Sequence, residues 1–320
     1  MPKGYHHVTR DIRSQIYALK ASGMSLRGIA KIVDRDVSTI SREIKRNTGG
    51  RGYRQNQADT KAIERRQKVS SQPRKLTPEV ILYIEDKLCE KWSPEQISGR
   101  IKLEGKTRIS HETIYQYVWA NKRLGGDLHE HLRHSGKKYN KRSATSAGRG
   151  CIPNRVDISE RPDIVEQKTR LGDWEGDTII GAKHQGAIVS YVDRHSKYTV
   201  LKKVANKTAE LIVQATLEKL GQGLPVLTIT YDNGKEFSAH ADIAQALEAQ
   251  CYFARPYHSW ERGLNEHTNG LVRQYFPKKT DFSTITDSDV QLVELAINNR
   301  PRKVLNYRTP LEVLHNGQCL

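Results

Sequence analysis

At 320 residues with 36% hydrophobic residues, the chain has room for two to three domains with buried cores. Its net charge of +17 lies wholly in residues 1–150, which carry 32 Lys+Arg against 15 Asp+Glu, while residues 151–320 carry 21 of each. A strongly basic half joined to a neutral one is the footprint of a nucleic-acid binder. The absence of an apolar run of about 18 residues, or of a signal-peptide core behind Met1, argues against a membrane protein and predicts a soluble, cytoplasmic one.

In chain order, residues 9–47 predict three short helices, the last two over Ser25–Val33 and Ser38–Arg46, with the polar turn Asp34-Arg35-Asp36 between them. In the last helix Val37, Ile40 and Ile44 recur at helical spacing and are expected in the core. That leaves Ser38, Thr39, Ser41, Arg42, Lys45 and Arg46 outside, the layout of a helix-turn-helix recognition helix. Ser38, Thr39 and Arg42 are the expected base readers, and Lys45 and Arg46 phosphate contacts. A plain trihelical bundle with a solvated basic face is the competing reading.

Residues 1–50 are therefore expected as a helix-turn-helix DNA-binding domain and 51–75 as a basic linker or helix. A second helical unit follows over 76–134. Thr77-Pro78 and Ser93-Pro94-Glu95-Gln96 read as helix starts, each a hydroxyl cap followed by Pro at the first helical position, and Ser110–Trp119 as a further helix. This unit is expected either to bind DNA as a second helix-turn-helix or to serve as a structural or dimerising bundle. Residues 135–170 read as a basic flexible linker, with Lys137, Lys138, Lys141, Arg142 and Arg149 in its first part. Cys89, Cys151, Cys251 and Cys319 are scattered, with neither zinc-site spacing nor a disulfide framework.

From residue 171 to 320 the pattern turns to short strands and amphipathic helices. Strands are predicted at Trp174–Ile180, Ala187–Asp193, Tyr198–Val204, Val226–Tyr231 and Cys251–Ala254, and helices at Thr208–Leu220, Ser238–Ala249, Leu264–Tyr275 and Asp287–Asn299. Three strands followed by alternating helix and strand predict a mixed five-stranded sheet flanked by helices, in the order of a ribonuclease H-like α/β core. The whole chain is thus expected to be multidomain, an all-α helix-turn-helix N-terminal region joined to that α/β core.

Three acids stand out in this last part: Asp177 in a predicted strand, Asp232 at a strand end, and Glu266 in a helix, with 33 residues between the last two. Carboxylates brought together from distant segments can hold magnesium with the help of waters and phosphates. A pair of such ions serves both oxygens of a phosphoryl transfer. Strand alternation puts Asp173, Glu175 and Asp177 on one face, so position alone does not choose among them.

The chain resembles DDE transposases, most closely the insertion sequence thirty family of bacterial transposases, along nearly its whole length. In the N-terminal part the resemblance rests on Ser25–Asn47 and Gly52-Tyr53-Arg54. In the core it rests on Trp174-Glu175-Gly176-Asp177, Tyr231–Phe237, Arg255-Pro256-Tyr257, Asn265–Gly270, Asn298–Lys303 and Leu305–Pro310. It implies Asp177, Asp232 and Glu266 as the catalytic, metal-binding triad; Glu175, on the same strand face, is the alternative for the first position. It also implies two Mg2+ ions with Mn2+ as a substitute, and places Arg273, seven residues after Glu266, in contact with DNA. The activity implied is cleavage at terminal inverted repeats and strand transfer into target DNA by a dimer or higher multimer associated with the bacterial nucleoid. The retroviral integrases' zinc-binding domain has no counterpart here. A DNA-binding regulator on an inactive core and a nuclease that does not join ends are the alternatives.

Overall fold

A computed structural model describes residues 7–70, 75–133, 152–182, 185–255, 258 and 262–318. The chain divides into two compact units, Met1–Thr77 and Pro78–Leu320.

In the first unit, helices α1 (Arg10–Ala21), α2 (Leu26–Ile32) and α3 (Val37–Asn47) each begin where a side-chain oxygen meets an otherwise unpaired helical N–H. The caps are Thr9, Ser25 and Asp36. A fourth helix, α4 (Gln55–Ser70), fills most of the segment expected as linker or helix. Ile16, Ile29 and Ile40 are fully buried and pack with Tyr53 and Ala58. Buried Arg13 pins three helices together, its Nε 2.8 Å from Glu43 on α3 and its Nη1 2.7 Å from Asp59 on α4. Val37, expected in the core, is 38% exposed, because it opens the helix before the first full turn reaches the other two.

The second unit is built on a five-stranded sheet of order β3-β2-β1-β4-β5. Its strands are β1 (Asp173–Ile180), β2 (Ala187–Asp193), β3 (Thr199–Val204), β4 (Thr228–Tyr231) and β5 (Gln250–Phe253). The first three run antiparallel, while β4 and β5 join β1 in parallel, giving the mixed sheet expected. Alternation along the strands divides the core between two faces. Trp174, Val189, Tyr191 and Ile229 meet Ile212 and Leu220 of α9 (Ala209–Leu220) and Ile243 of α10 (His240–Ala246). On the other face Ile179, Ile188 and Leu201 meet α11 (Gly263–Tyr275) and α12 (Asp287–Asn298).

Two boundaries differ from expectation. Helices α5 (Pro78–Cys89), α6 (Pro94–Leu103) and α7 (His111–Arg123) begin where their caps predict, with a full capping box at Ser93 and Gln96. Instead of forming a separate body they belong to the same compact unit as the sheet. Arg100 makes a bidentate pair with Glu312 at the start of α13 (Pro310–Gln318), and Gln96 donates to Pro301 O at 2.8 Å and accepts from Arg300 Nε. Gly99 lets the Tyr307 ring lie against α6, where any Cβ would clash. The first part of the expected linker, residues 135–151, lies outside the described residues. Residues 152–170 are not linker-like: Val156 O accepts from Phe253 N of β5 at 2.9 Å, and Val165 of the short helix α8 (Asp163–Gln167) is fully buried.

Candidate active site

The parallel register of β1 and β4 pairs Glu175 with Thr230, so that Asp177 and Asp232, two residues further along each strand direction, emerge side by side. Asp232 closes an Asx turn, its Oδ1 accepting from Gly234 N at 2.9 Å. Asp177 is held from two sides. Thr178 N donates to its Oδ1 at 2.9 Å, and the Asn269 amide of α11 to its Oδ2 at 2.6 Å, while the Asn269 Oδ1 accepts from Ser190.

Arg262, just before α11, bridges the two acids. Its Nη2 stands 3.3 Å from Asp232 Oδ2 and its Nη1 3.8 Å from Asp177 Oδ1, and Nη1 also donates to Gly176 O at 3.1 Å. Burial raises the Asp177 carboxyl above its ordinary range; the Arg262 charge opposes that shift and the neighbouring Asp232 adds to it.

Glu266 lies one turn along from Arg262 on an exposed stretch of α11, and it lines with Asp177 an open cleft of about 900 Å³. Asn269, Gly270 and Arg273 continue that helical stripe along the cleft. Arg273 turns its guanidinium to Ile180 O at 2.7 Å and over the Phe282 ring. Arg133 reaches the same stripe from beyond α7, close enough that a Cβ on Gly270 would sit 2.5 Å from its Nη2. Glu175, the reserve for the first acid, is buried at 2% exposure and engaged elsewhere, 3.0 Å from Arg194 and accepting from Asn265 N. Asp173 is likewise enclosed, held by Arg170 and Thr228. One strand face therefore carries three acids, and only Asp177 opens into the cleft.

Among the described residues no three His, Cys, Asp or Glu side chains converge on a point that could hold a metal ion. The donor chemistry nevertheless fits a hard divalent cation. Two carboxylates already gather around one positive charge, that of Arg262, and a third faces the same cleft from the helix.

On α3 of the first unit, Ser38, Ser41, Arg42, Lys45 and Arg46 are exposed and Thr39 is half-buried. Pro256 and Tyr257 lie outside the described residues. Neither Arg262 nor Ser190 stands out in the sequence, and Asn269 does so only as part of the Asn265–Gly270 motif. The i−4 spacing of Arg262 from Glu266 was the available signal for the first. Nothing local marks Ser190, which comes from the neighbouring strand.

A helix-turn-helix unit and an α/β sheet with clustered acids at its strand ends define a DNA-binding protein with an integrase-type core. A family model described as Helix-turn-helix domain matches residues 4–47, one described as Integrase core domain matches 168–259, and one described as Homeodomain-like domain matches 39–118. The chain is 47% identical over 309 residues to the transposase for insertion sequence element IS4351 of Bacteroides fragilis, covering 96% of this chain and 94% of that one. It is 38% identical to transposase InsI for IS30A of Escherichia coli K12 (98% of this chain, 85% of that one) and 36% identical to the transposase for IS1086 of Cupriavidus metallidurans (97% and 94%). The chain belongs to the insertion sequence thirty family of transposases.

Proposed function

We propose that this transposase cuts DNA at the terminal inverted repeats of its insertion sequence and joins the freed ends to target DNA, using Asp177, Asp232 and Glu266 at the reacting phosphate. The observation that carries this reading is the bridging of Asp177 and Asp232 by Arg262 beside the cleft that Glu266 lines.

A water oxygen attacks phosphorus at the element end and a 3′-hydroxyl leaves; that hydroxyl then attacks a target phosphodiester and displaces another 3′ oxygen. The three carboxylates would hold two Mg2+ ions, or Mn2+ in their place, which when bound neutralise the phosphoryl oxygens and acidify the attacking hydroxyl. Asn269 and Thr178 N hold the Asp177 carboxylate in a fixed orientation, and such fixed placement is the larger part of catalysis in phosphoryl transfer. Arg273 and Arg133 border the same cleft and suit the DNA backbone.

In the first unit, Ser38, Thr39 and Arg42 of α3 would read bases, with Ser41, Lys45 and Arg46 on phosphate and sugar. Two element ends must meet in one complex, so the active form on DNA is a dimer or larger.

The test is magnesium-dependent nicking and joining of a labelled duplex carrying the element's terminal repeats, comparing wild type with Glu266→Gln at equal DNA occupancy. Wild type should release and join 3′ ends, and the variant should lose at least about a hundredfold in rate with binding intact. Binding without cleavage by either protein would instead make this chain a regulator. Cleavage without joining would make it a nuclease.

A further inference from the structure

A second cleft, of about 710 Å³, lies beside the acid cleft in the same unit and shares Gly263 and His267 of α11 with it. Its wall carries Lys168, Arg194, Lys197, Arg255 and Arg302 against only Glu166 and Glu175. Both acids are already engaged. Glu166 pairs with Arg161 and Arg194, and Glu175 with Arg194. Arg255 is near Asp157, at 3.6 Å.

Lys168, Lys197 and Arg302 have no carboxylate partner among the described residues. Arg302 is 6% exposed, and only its Nη2 is bonded, to Ile297 O; Nε and Nη1 are buried with no partner at all. Lys197 Nζ donates only to a backbone carbonyl, that of Arg194. Buried positive charge without a counter-charge is costly, and Arg302 and the half-buried Lys197 place such charge on the wall of an open cleft beside the exposed Lys168. Neighbouring Arg300, also buried, finds only the neutral amides of Gln96 and Gln274, so it adds positive charge without a carboxylate of its own. An oxyanion with oxygens to share among several cations is the complement of such a wall.

Resting on the transposase reading above, we infer that this second cleft is a phosphodiester-binding subsite, where Lys168, Lys197 and the charge of Arg302 hold a DNA backbone phosphate beside the strand being cut. Sharing Gly263 and His267 with the acid cleft puts the subsite on the same helix that carries Glu266. It would hold in register the strand that leaves or enters the reaction.

Amine acetylation followed by mass spectrometry tests this on the full chain, free, with inorganic phosphate, and with terminal-repeat duplex at a concentration that shifts all the protein. Burial holds the Lys197 ammonium down to about 8, so the free protein should label there readily. The duplex should protect Lys168 and Lys197 several-fold, and inorganic phosphate should not. Equal protection by inorganic phosphate overturns the DNA assignment in favour of a small-anion pocket. Unchanged labelling of both lysines in the shifted complex overturns the subsite. Neither result touches the transposase reading, whose own failure would appear as absent nicking by wild type.

As a second measure, the doubly substituted Lys168→Gln/Lys197→Gln protein should need about tenfold more DNA to reach half-maximal joining, with a near-normal rate at saturation. Lys168→Arg/Lys197→Arg should restore the affinity. A double Gln variant with unchanged DNA dependence counts against the subsite.

Discussion

At the scale of single residues, Arg262 has the most direct consequence. Its guanidinium stands between the two acids that would receive a divalent cation, so it competes for them in the resting protein. Calorimetric titration of DNA-free protein with Mn2+ should show Arg262→Ala binding several-fold more tightly than wild type; equal or weaker binding would mean that the guanidinium is a partner of the site and not a competitor. Lys197 has a consequence of a different kind. Its folded pKa, about 8, lies below the ordinary lysine value of 10.5, so the folded state binds fewer protons than the unfolded state between those two values. Its charged form thus opposes folding fully below about pH 8, and the penalty disappears as pH rises through 10.5. In urea unfolding, Lys197→Gln should therefore stabilise the protein by about 1 kcal/mol at pH 7 and lose that advantage by about pH 10.5. An advantage that does not change with pH would point to packing instead of charge.

At the scale of elements, α5–α7 act as a buttress of the catalytic unit. Their helix starts were legible because Ser93, Pro94 and Gln96 form a local capping signal. Their docking was not, because Arg100 and Glu312 are 212 positions apart and nothing near either residue names the other. Gly99 lies at the closest approach, under the Tyr307 ring. Gly99→Ala should cost the second unit about 1–3 kcal/mol despite alanine's better helix propensity. Combining it with Tyr307→Ala should cost less than the sum of the two single changes, since the ring is what the new methyl meets. Strict additivity in a denaturant double-mutant cycle would show that the ring and α6 are not in contact. The same reasoning explains residues 152–170. Their polar composition reads as linker, and contacts with distant segments turn them into packed structure: the edge of β5 pairs their backbone, Ile152 enters the sheet core and Glu166 pairs with Arg194.

Across the whole molecule, positive charge is concentrated in the first unit, where Met1–Thr77 carries 18 Lys+Arg against 6 Asp+Glu. With α5–α7 in the catalytic unit, the division of labour falls at Thr77. The fragment Met1–Thr77 should bind terminal-repeat DNA with a slope of log affinity against log salt of about −3 or steeper, and Pro78–Leu320 should bind more weakly. Fluorescence anisotropy across a salt series measures both; equal affinity of the two fragments would refute the division. The sequence by itself determined the helix-turn-helix, the order of the strands along the chain and a short set of candidate acids. Each is written locally, in caps, in alternation at a period of two, and in motifs a few residues long. Only the tertiary structure decided which acid on β1 faces the cleft. Asp173, Glu175 and Asp177 share a strand face, and what separates them is their partners from distant segments: Arg170 and Thr228 enclose the first, Arg194 and Asn265 the second, while Asn269 and Arg262 hold the third at the open edge. A strand's period fixes the side on which a carboxylate lies, but its solvation and charge neighbours depend on contacts made across the fold.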